Sequence, residues 1–207
     1  MQAILGGTFD PVHRGHLHAA AVGRSLLGAP KVTLMLAARP WHREAPATSI
    51  EHRLRMLRLA VGADPHLVVS DWEARREGPS YTVDTLTALA DGEPLVWLIG
   101  GDAFAAVDSW HRVDDLAALC HFLVLNRPGS RRDERMPKGF RRIDDPSALV
   151  RWPSGCVCFA GATMLDVSAT RIRRRISSGG AVDGLLTPEV WAYIRTHGLY
   201  GRRQPGG

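Results

Sequence analysis

Lysine, cysteine and long apolar runs are the scarce features of this 207-residue chain. Lysine stands only at positions 31 and 138, so the net charge of +5 rests almost wholly on arginine. The planar arginine fork suits bidentate bonds to phosphate, so a phosphate-rich ligand would account for the excess; a biased base composition would account for it equally. Cys120, Cys156 and Cys158 form an odd set without metal-ligand spacing. They argue against a disulfide framework and predict reduced thiols in the core. No run of about 18 apolar residues occurs, and "MQAIL" enters the first apolar segment without the basic and small-residue flanks of a signal peptide. The expectation is a cytoplasmic protein with no membrane partner. No internal repeat is visible.

What is present is the balance of an ordinary globular domain, with 45% apolar and 23% charged residues. Short apolar, β-rich runs lie at Ala3 to Leu5, Val32 to Leu36, Leu67 to Ser70, Leu95 to Ile99, Phe122 to Leu125 and Val157 to Phe159. Helical periods fill the gaps: Leu17 to Leu27, Ile50 to Val61, Tyr81 to Ala90 and Val113 to Leu119. Such alternation predicts a doubly wound α/β protein whose sheet is mostly parallel and covered on both faces. "TPEVWAYIRTHG" adds a last helix, with Thr187 as N-cap, Pro188 in the first position and Gly198 as the stop. We expect a single domain over residues 1–200, a surface excursion with a short helix near 130–151, and a disordered tail over 201–207.

"GGTFDPVHRGHL", residues 6–17, follows the first strand and would form the loop at its carboxyl end, where open α/β sheets bind ligands. Gly6 and Gly7 would permit positive φ and close approach of a ligand. The helix starting near Gly15 would aim its free N–H groups at the same spot. Neither the Lys of GxxxxGK[ST] nor the third glycine of GxGxxG is present. His13 and His16 can instead offer two imidazole donors to one anion, while Gly15 would leave room for an adenine or ribose. A tight turn with a capping Asp10 and surface histidines is the plainer alternative.

"GTFDPVHRGH" resembles the signature of the HxGH nucleotidyltransferase superfamily, and "VSATRIRRRI" at 167–176 resembles the ISSTxIR element of its adenylyltransferase branch. "RPWHR" (39–43), "RLRMLRLAV" (53–61), "PSYTVDTL" (79–86), "LIGGDAF" (98–104), Trp110 and "LLTPEVWAYIRTHGLY" (185–200) are similar, in order and spacing, to the bacterial nicotinate-nucleotide adenylyltransferase family. Three departures stand out: Ala169 in place of the second Ser, "RPW" in place of a more proline-rich approach, and an insert from Ser130 to Arg151 that resembles no element of the family.

The resemblance implies a Rossmann-like nucleotidyltransferase fold with a small C-terminal helical portion, and transfer of AMP from ATP to nicotinate mononucleotide with release of pyrophosphate. It implies catalytic roles for His13, His16 and Arg173, and ATP contacts from Gly7, Thr8, Phe9, Gly15, Ser168 and Thr170. His42, Arg43, Thr82, Gly101, Asp102 and Trp110 would hold the mononucleotide, Trp110 by stacking on the pyridine ring. Mg2+ would arrive on the ATP phosphates with few or no protein ligands. ATP and nicotinate mononucleotide are the implied partners, and a homodimer is allowed.

Read from the residues alone, Ser168 would equally be a plain cap with a solvated basic helix face, Asp102 a cap, and Trp110 one of six core tryptophans. A related transferase acting on nicotinamide mononucleotide or phosphopantetheine is the nearest alternative. A nucleic-acid-binding module is the alternative from another class, disfavoured because no such motif occurs and no aromatics interleave the basic run. His18, His52, His66, His111, His121 and His197 are expected to be ordinary surface or core residues.

Overall fold

A computed structural model describes residues 1–41, 45–126, 135–162 and 164–201. Seven strands form one sheet: β1 (Gln2–Gly7), β2 (Val32–Leu36), β3 (Leu67–Ser70), β4 (Leu95–Gly100), β5 (His121–Leu125), β6 (Arg141–Ile143) and β7 (Cys156–Ala160). Their order is β3-β2-β1-β4-β5-β7-β6, and every pairing is parallel. Parallel strands need crossovers, here supplied by α1 (Arg14–Leu27), α2 (Ile50–Val61), α3 (Trp72–Arg75), α4 (Thr82–Leu89), α5 (Gly101–Phe104) and α6 (Val113–Leu119). After β7 come α7 (Ala169–Ser177) and α8 (Pro188–Thr196). This is the expected doubly wound fold.

Successive side chains of a strand point to opposite faces, and the core divides accordingly. Leu5, Leu34, Leu98 and Leu123 are buried on one face with Ala20 of α1, Leu57 of α2 and Ile194 of α8. Ile4, Met35, Trp97 and Phe122 are buried on the other with Leu86 of α4 and Leu116 of α6. Two covered faces explain strands that read as unbroken apolar runs.

The helix punctuation follows the sequence. Ser49 caps α2 by accepting from the His52 N–H at 3.4 Å, and Thr187 caps α8 by accepting from the Val190 N–H at 3.4 Å. Gly28 ends α1 with a φ of 60°, a left-handed position that favours glycine.

The stretch expected as a surface excursion with a short helix does carry a short helix, but it also holds a strand and buried residues. Residues 127–134 lie outside the described residues, as do 202–207 of the tail. From residue 135 onward, however, the chain adds β6 as an edge strand and a 3-10 helix over Pro146–Arg151, with Phe140 and Leu149 buried. The Arg141 guanidinium lies 3.7 Å from the centre of the Trp152 ring, so an arginine of the edge strand is used in packing.

Candidate active site at the switch point of the sheet

Chain crossovers leave β1 toward β2 on one side and reach β4 on the other, so a crevice opens at the carboxyl ends of β1 and β4. A cavity of about 800 Å³ occupies it. Gly7, Thr8, Phe9, His13, Gly15 and His16 line one wall, and Ser168, Thr170 and Arg173 line a second. Thr82, Gly101, Asp102 and Trp110 line the remainder. His42 and Arg43 lie outside the described residues.

Residue by residue, the first loop is built differently from the expectation. Gly6 and Gly7 do not adopt positive φ; Phe9 does, at 49°. The glycines answer to packing instead. A Cβ on Gly6 would lie 2.2 Å from the Trp97 ring, and one on Gly7 would lie 3.0 Å from the Phe9 ring. Gly15 is hemmed in on its Cβ side, where an added Cβ would meet the His13 imidazole at 3.0 Å and the Val167 Cβ at 3.3 Å, while the residue itself lines the cavity. Gly15 thus lets the first imidazole fold over the start of α1.

His13 occupies the N-cap position of α1, and its ring stacks on that of His16 with centroids 3.6 Å apart and an interplanar angle of 17°. The His13 backbone N–H donates to His16 Nδ1 at 3.2 Å. With Nδ1 accepting, Nε2 is the His16 nitrogen that carries the donor hydrogen. Phe9 packs edge-on against the same ring, with centroids 4.9 Å apart. His13 is 3% exposed, so it reaches the cavity from within the wall.

The second wall is the start of α7. Ser168 caps that helix by accepting from the Arg171 N–H at 3.3 Å. Arg173 Nη1 donates to the Asp10 carbonyl at 2.7 Å, and Nη2 donates to Thr170 Oγ1 at 3.4 Å. Two segments some 160 residues apart are therefore joined directly. Neighbouring arginines serve elsewhere: Arg171 pairs with Asp166 at 3.1 Å, and Arg175 donates to the Ala181 carbonyl at 3.2 Å.

On the remaining side, Thr82 is the first residue of α4, and Trp110 meets Phe122 edge to face at 6.3 Å. Asp102 sits exposed in the first turn of α5. A Cβ on Gly101 would meet Asn126 Oδ1 at 2.2 Å. His111, expected to be an ordinary surface or core residue, is exposed and stacks on Tyr81 with centroids 4.1 Å apart.

Sequence reasoning missed three buried polar groups. The Asp10 carboxylate does not cap α1; it accepts from the Ala47 N–H at 2.6 Å, Thr48 Oγ1 at 2.7 Å and the Tyr200 hydroxyl at 2.6 Å. Arg53 is buried in α2, where desolvation lowers its pKa against the opposing pull of Asp10. Glu73, 5% exposed, reaches the cavity wall and accepts from Thr85 Oγ1 at 2.6 Å; burial raises its carboxyl pKa, and the hydroxyls of Ser80 and Thr85 oppose that rise. The available signal was periodicity, since Arg53 falls within a turn of Ile50, Leu54 and Leu57.

Comparison with known proteins places the chain. A family model for cytidylyltransferase-like proteins matches residues 4–175. A probable nicotinate-nucleotide adenylyltransferase of Acidithiobacillus ferrooxidans is 43% identical over 206 residues, covering 95% of this chain and 94% of the relative. One of Pseudomonas syringae pv. tomato is 42% identical over 207 residues, covering 95% and 92%. Among solved structures, Plasmodium falciparum nicotinic acid mononucleotide adenylyltransferase complexed with NaAD superposes with a TM-score of 0.71 over 96% of each chain, at 18% identity. The shared architecture holds at that low identity. The chain belongs to the cytidylyltransferase-like family and, within it, to the nicotinate-nucleotide adenylyltransferases.

Proposed function

We propose that this chain transfers AMP from ATP to nicotinate mononucleotide, forming nicotinate adenine dinucleotide and pyrophosphate. One observation carries the reading: a single cavity collects paired imidazoles, a guanidinium anchored on the imidazole-bearing loop, and a separate wall with Thr82, Asp102 and Trp110. The relatives' names support the same chemistry.

The reaction needs no protein nucleophile. An oxygen of the mononucleotide phosphate attacks the α-phosphorus of ATP, and the bond to the departing pyrophosphate breaks. What the chain contributes is alignment and donors aimed at developing charge. His16 Nε2 and the His13 ring donate to ATP phosphates. Thr8, with the backbone at Gly7, Phe9 and Gly15, holds the bridging phosphates. Ser168, Thr170 and Arg173 hold the β and γ end as it leaves. Thr82 and Gly101 receive the nicotinate end, Asp102 accepts from ribose hydroxyls, and Trp110 stacks on the pyridine ring; His42 and Arg43 bind phosphate.

Mg2+ fits this wall as an ion carried on the triphosphate. The hydroxyl, imidazole and guanidinium donors suit phosphate oxygens, the Asp10 carboxylate already takes three donors, and Mg2+ keeps several waters. When bound, it supplies neutralisation of phosphate charge.

In this reading residues 1–200 work as one nucleotidyltransferase domain in the cytoplasm, without nucleic acid or membrane. Among the described residues no helix is long and apolar enough to cross a membrane. A homodimer is a separate proposal, tested by light scattering on the purified chain.

Pyrophosphate release from ATP with nicotinate mononucleotide, nicotinamide mononucleotide or phosphopantetheine tests the assignment. Release with the nicotinate form supports it. Release with phosphopantetheine alone overturns it, and equal use of the amide form overturns recognition of the carboxylate at Thr82.

A further inference from the structure

Residues Ala37 to Arg39, which leave β2, are bonded to both halves of the cavity. At one end the Ala37 N–H donates to the Gly7 carbonyl at 2.8 Å. At the other, the Arg39 N–H donates to Ser80 Oγ at 3.0 Å, and the Ser80 N–H donates back to the Arg39 carbonyl at 2.9 Å. Ser80 stands two residues before Thr82, the first residue of α4.

Arg53 fastens the middle. It is 1% exposed. Nη1 donates to the carbonyls of Ala37 at 2.8 Å and Thr8 at 3.1 Å, and Nη2 donates to the Ala38 carbonyl at 2.6 Å. Among the described residues its Nε has no hydrogen-bond partner. A buried guanidinium whose Nε goes unmatched is a costly way to fill space that a Met or Leu could fill. The fork does what neither could, joining three carbonyls from two chain segments at fixed angles.

Peptide geometry makes that hold matter. Turning the Thr8 carbonyl toward Arg53 sends the Phe9 N–H, trans across the same planar bond, to the opposite side. Phe9 has a φ of 49°, which a bulky residue rarely adopts without outside constraint.

We propose that Arg53 is a positioning residue: with Ala37 to Arg39 it forms a strap that holds the loop after β1 and the start of α4 at one separation, keeping the two substrate halves of the cavity in register. Its kinetic consequences rest on the adenylyl-transfer reading. The strap itself does not.

Two variants test it. R53K keeps the cation but replaces the fork with one ammonium, and S80A removes the hydroxyl at the far end. In the ligand-free protein, R53K should speed amide exchange at Ala37, Arg39 and Ser80 by about 10-fold or more, with Leu95–Gly100 and His121–Leu125 unchanged. With both substrates, kcat should fall by about 10-fold or more, because small misplacements of reacting groups cost that much. The KM for the mononucleotide should rise too. S80A should raise that KM while leaving the ATP constant in place, and the double variant should lose less than the product of the single losses.

Uniform loosening of the sheet with unchanged constants in folded R53K would reduce Arg53 to core filler and overturn the strap. Independent, multiplying losses would overturn it as well. If R53K does not fold, S80A decides: faster exchange at Ala37 and Arg39 supports the strap, and no change refutes it. Should the unaltered chain release no pyrophosphate, adenylyl transfer fails while the exchange data still settle the strap.

Discussion

The Tyr200 hydroxyl donates to Asp10 Oδ1 at 2.6 Å across 190 positions of sequence, so one of the last described residues braces the loop that carries the paired imidazoles. Burial first, and then the Asp10 carboxylate, push the Tyr200 phenol above its ordinary value. A group whose pKa rises on folding contributes stability that is fully present below its unfolded pKa, about 10 for tyrosine, and lost as pH climbs through the folded value. Tyr200→Phe should therefore cost about 1 to 3 kcal/mol at neutral pH. The gap to the unaltered chain should narrow above pH ~10. Urea titrations across pH 7 to 11 measure it, and a gap independent of pH would contradict the bond.

His16→Ala should lower kcat by about 10²-fold or more, the loss expected when one preorganised donor to developing phosphate charge is removed. Steady-state pyrophosphate release measures this. Near-normal turnover would remove His16 from the reaction.

Trp110→Ala should raise the KM for the mononucleotide by about 2- to 10-fold, in line with the worth of one aromatic stack. ATP should bind as before. A change in the ATP constant alone would place the indole elsewhere.

Cys120, Cys156 and Cys158 are all buried, and burial, joined by the charges of Asp144 and Asp145, pushes the Cys158 thiol up to about 11. Cys120 is pushed up by burial alone. Iodoacetamide at pH 8 should leave all three unmodified in the native protein and modify all three in denaturant, as read by mass spectrometry. Rapid labelling of the folded chain would show a thiol open to solvent.

Legibility in the sequence followed burial. Strands such as Val32–Leu36, covered on both faces, announce themselves as apolar runs, and Thr187 with Pro188 marks α8 through local chemistry alone. β6 escaped notice because "RRI" is an edge segment with two exposed arginines, and no apolar pattern marks such an edge. Asp10 and Arg53 were opaque for another reason: their partners lie up to 190 residues away. Charged side chains read one at a time look like solvated surface, and only the assembled chain reveals what they bond.

Gly6 under the Trp97 indole carries a consequence for variation. An alanine at position 6 would press its methyl to 2.2 Å from that ring, so the indole must shift or shrink to admit it. Gly6 and Trp97 both line the cavity, so a smaller residue 97 beside glycine widens it. The two positions are coupled in one direction: a side chain gained at 6 has to be met by room yielded at 97.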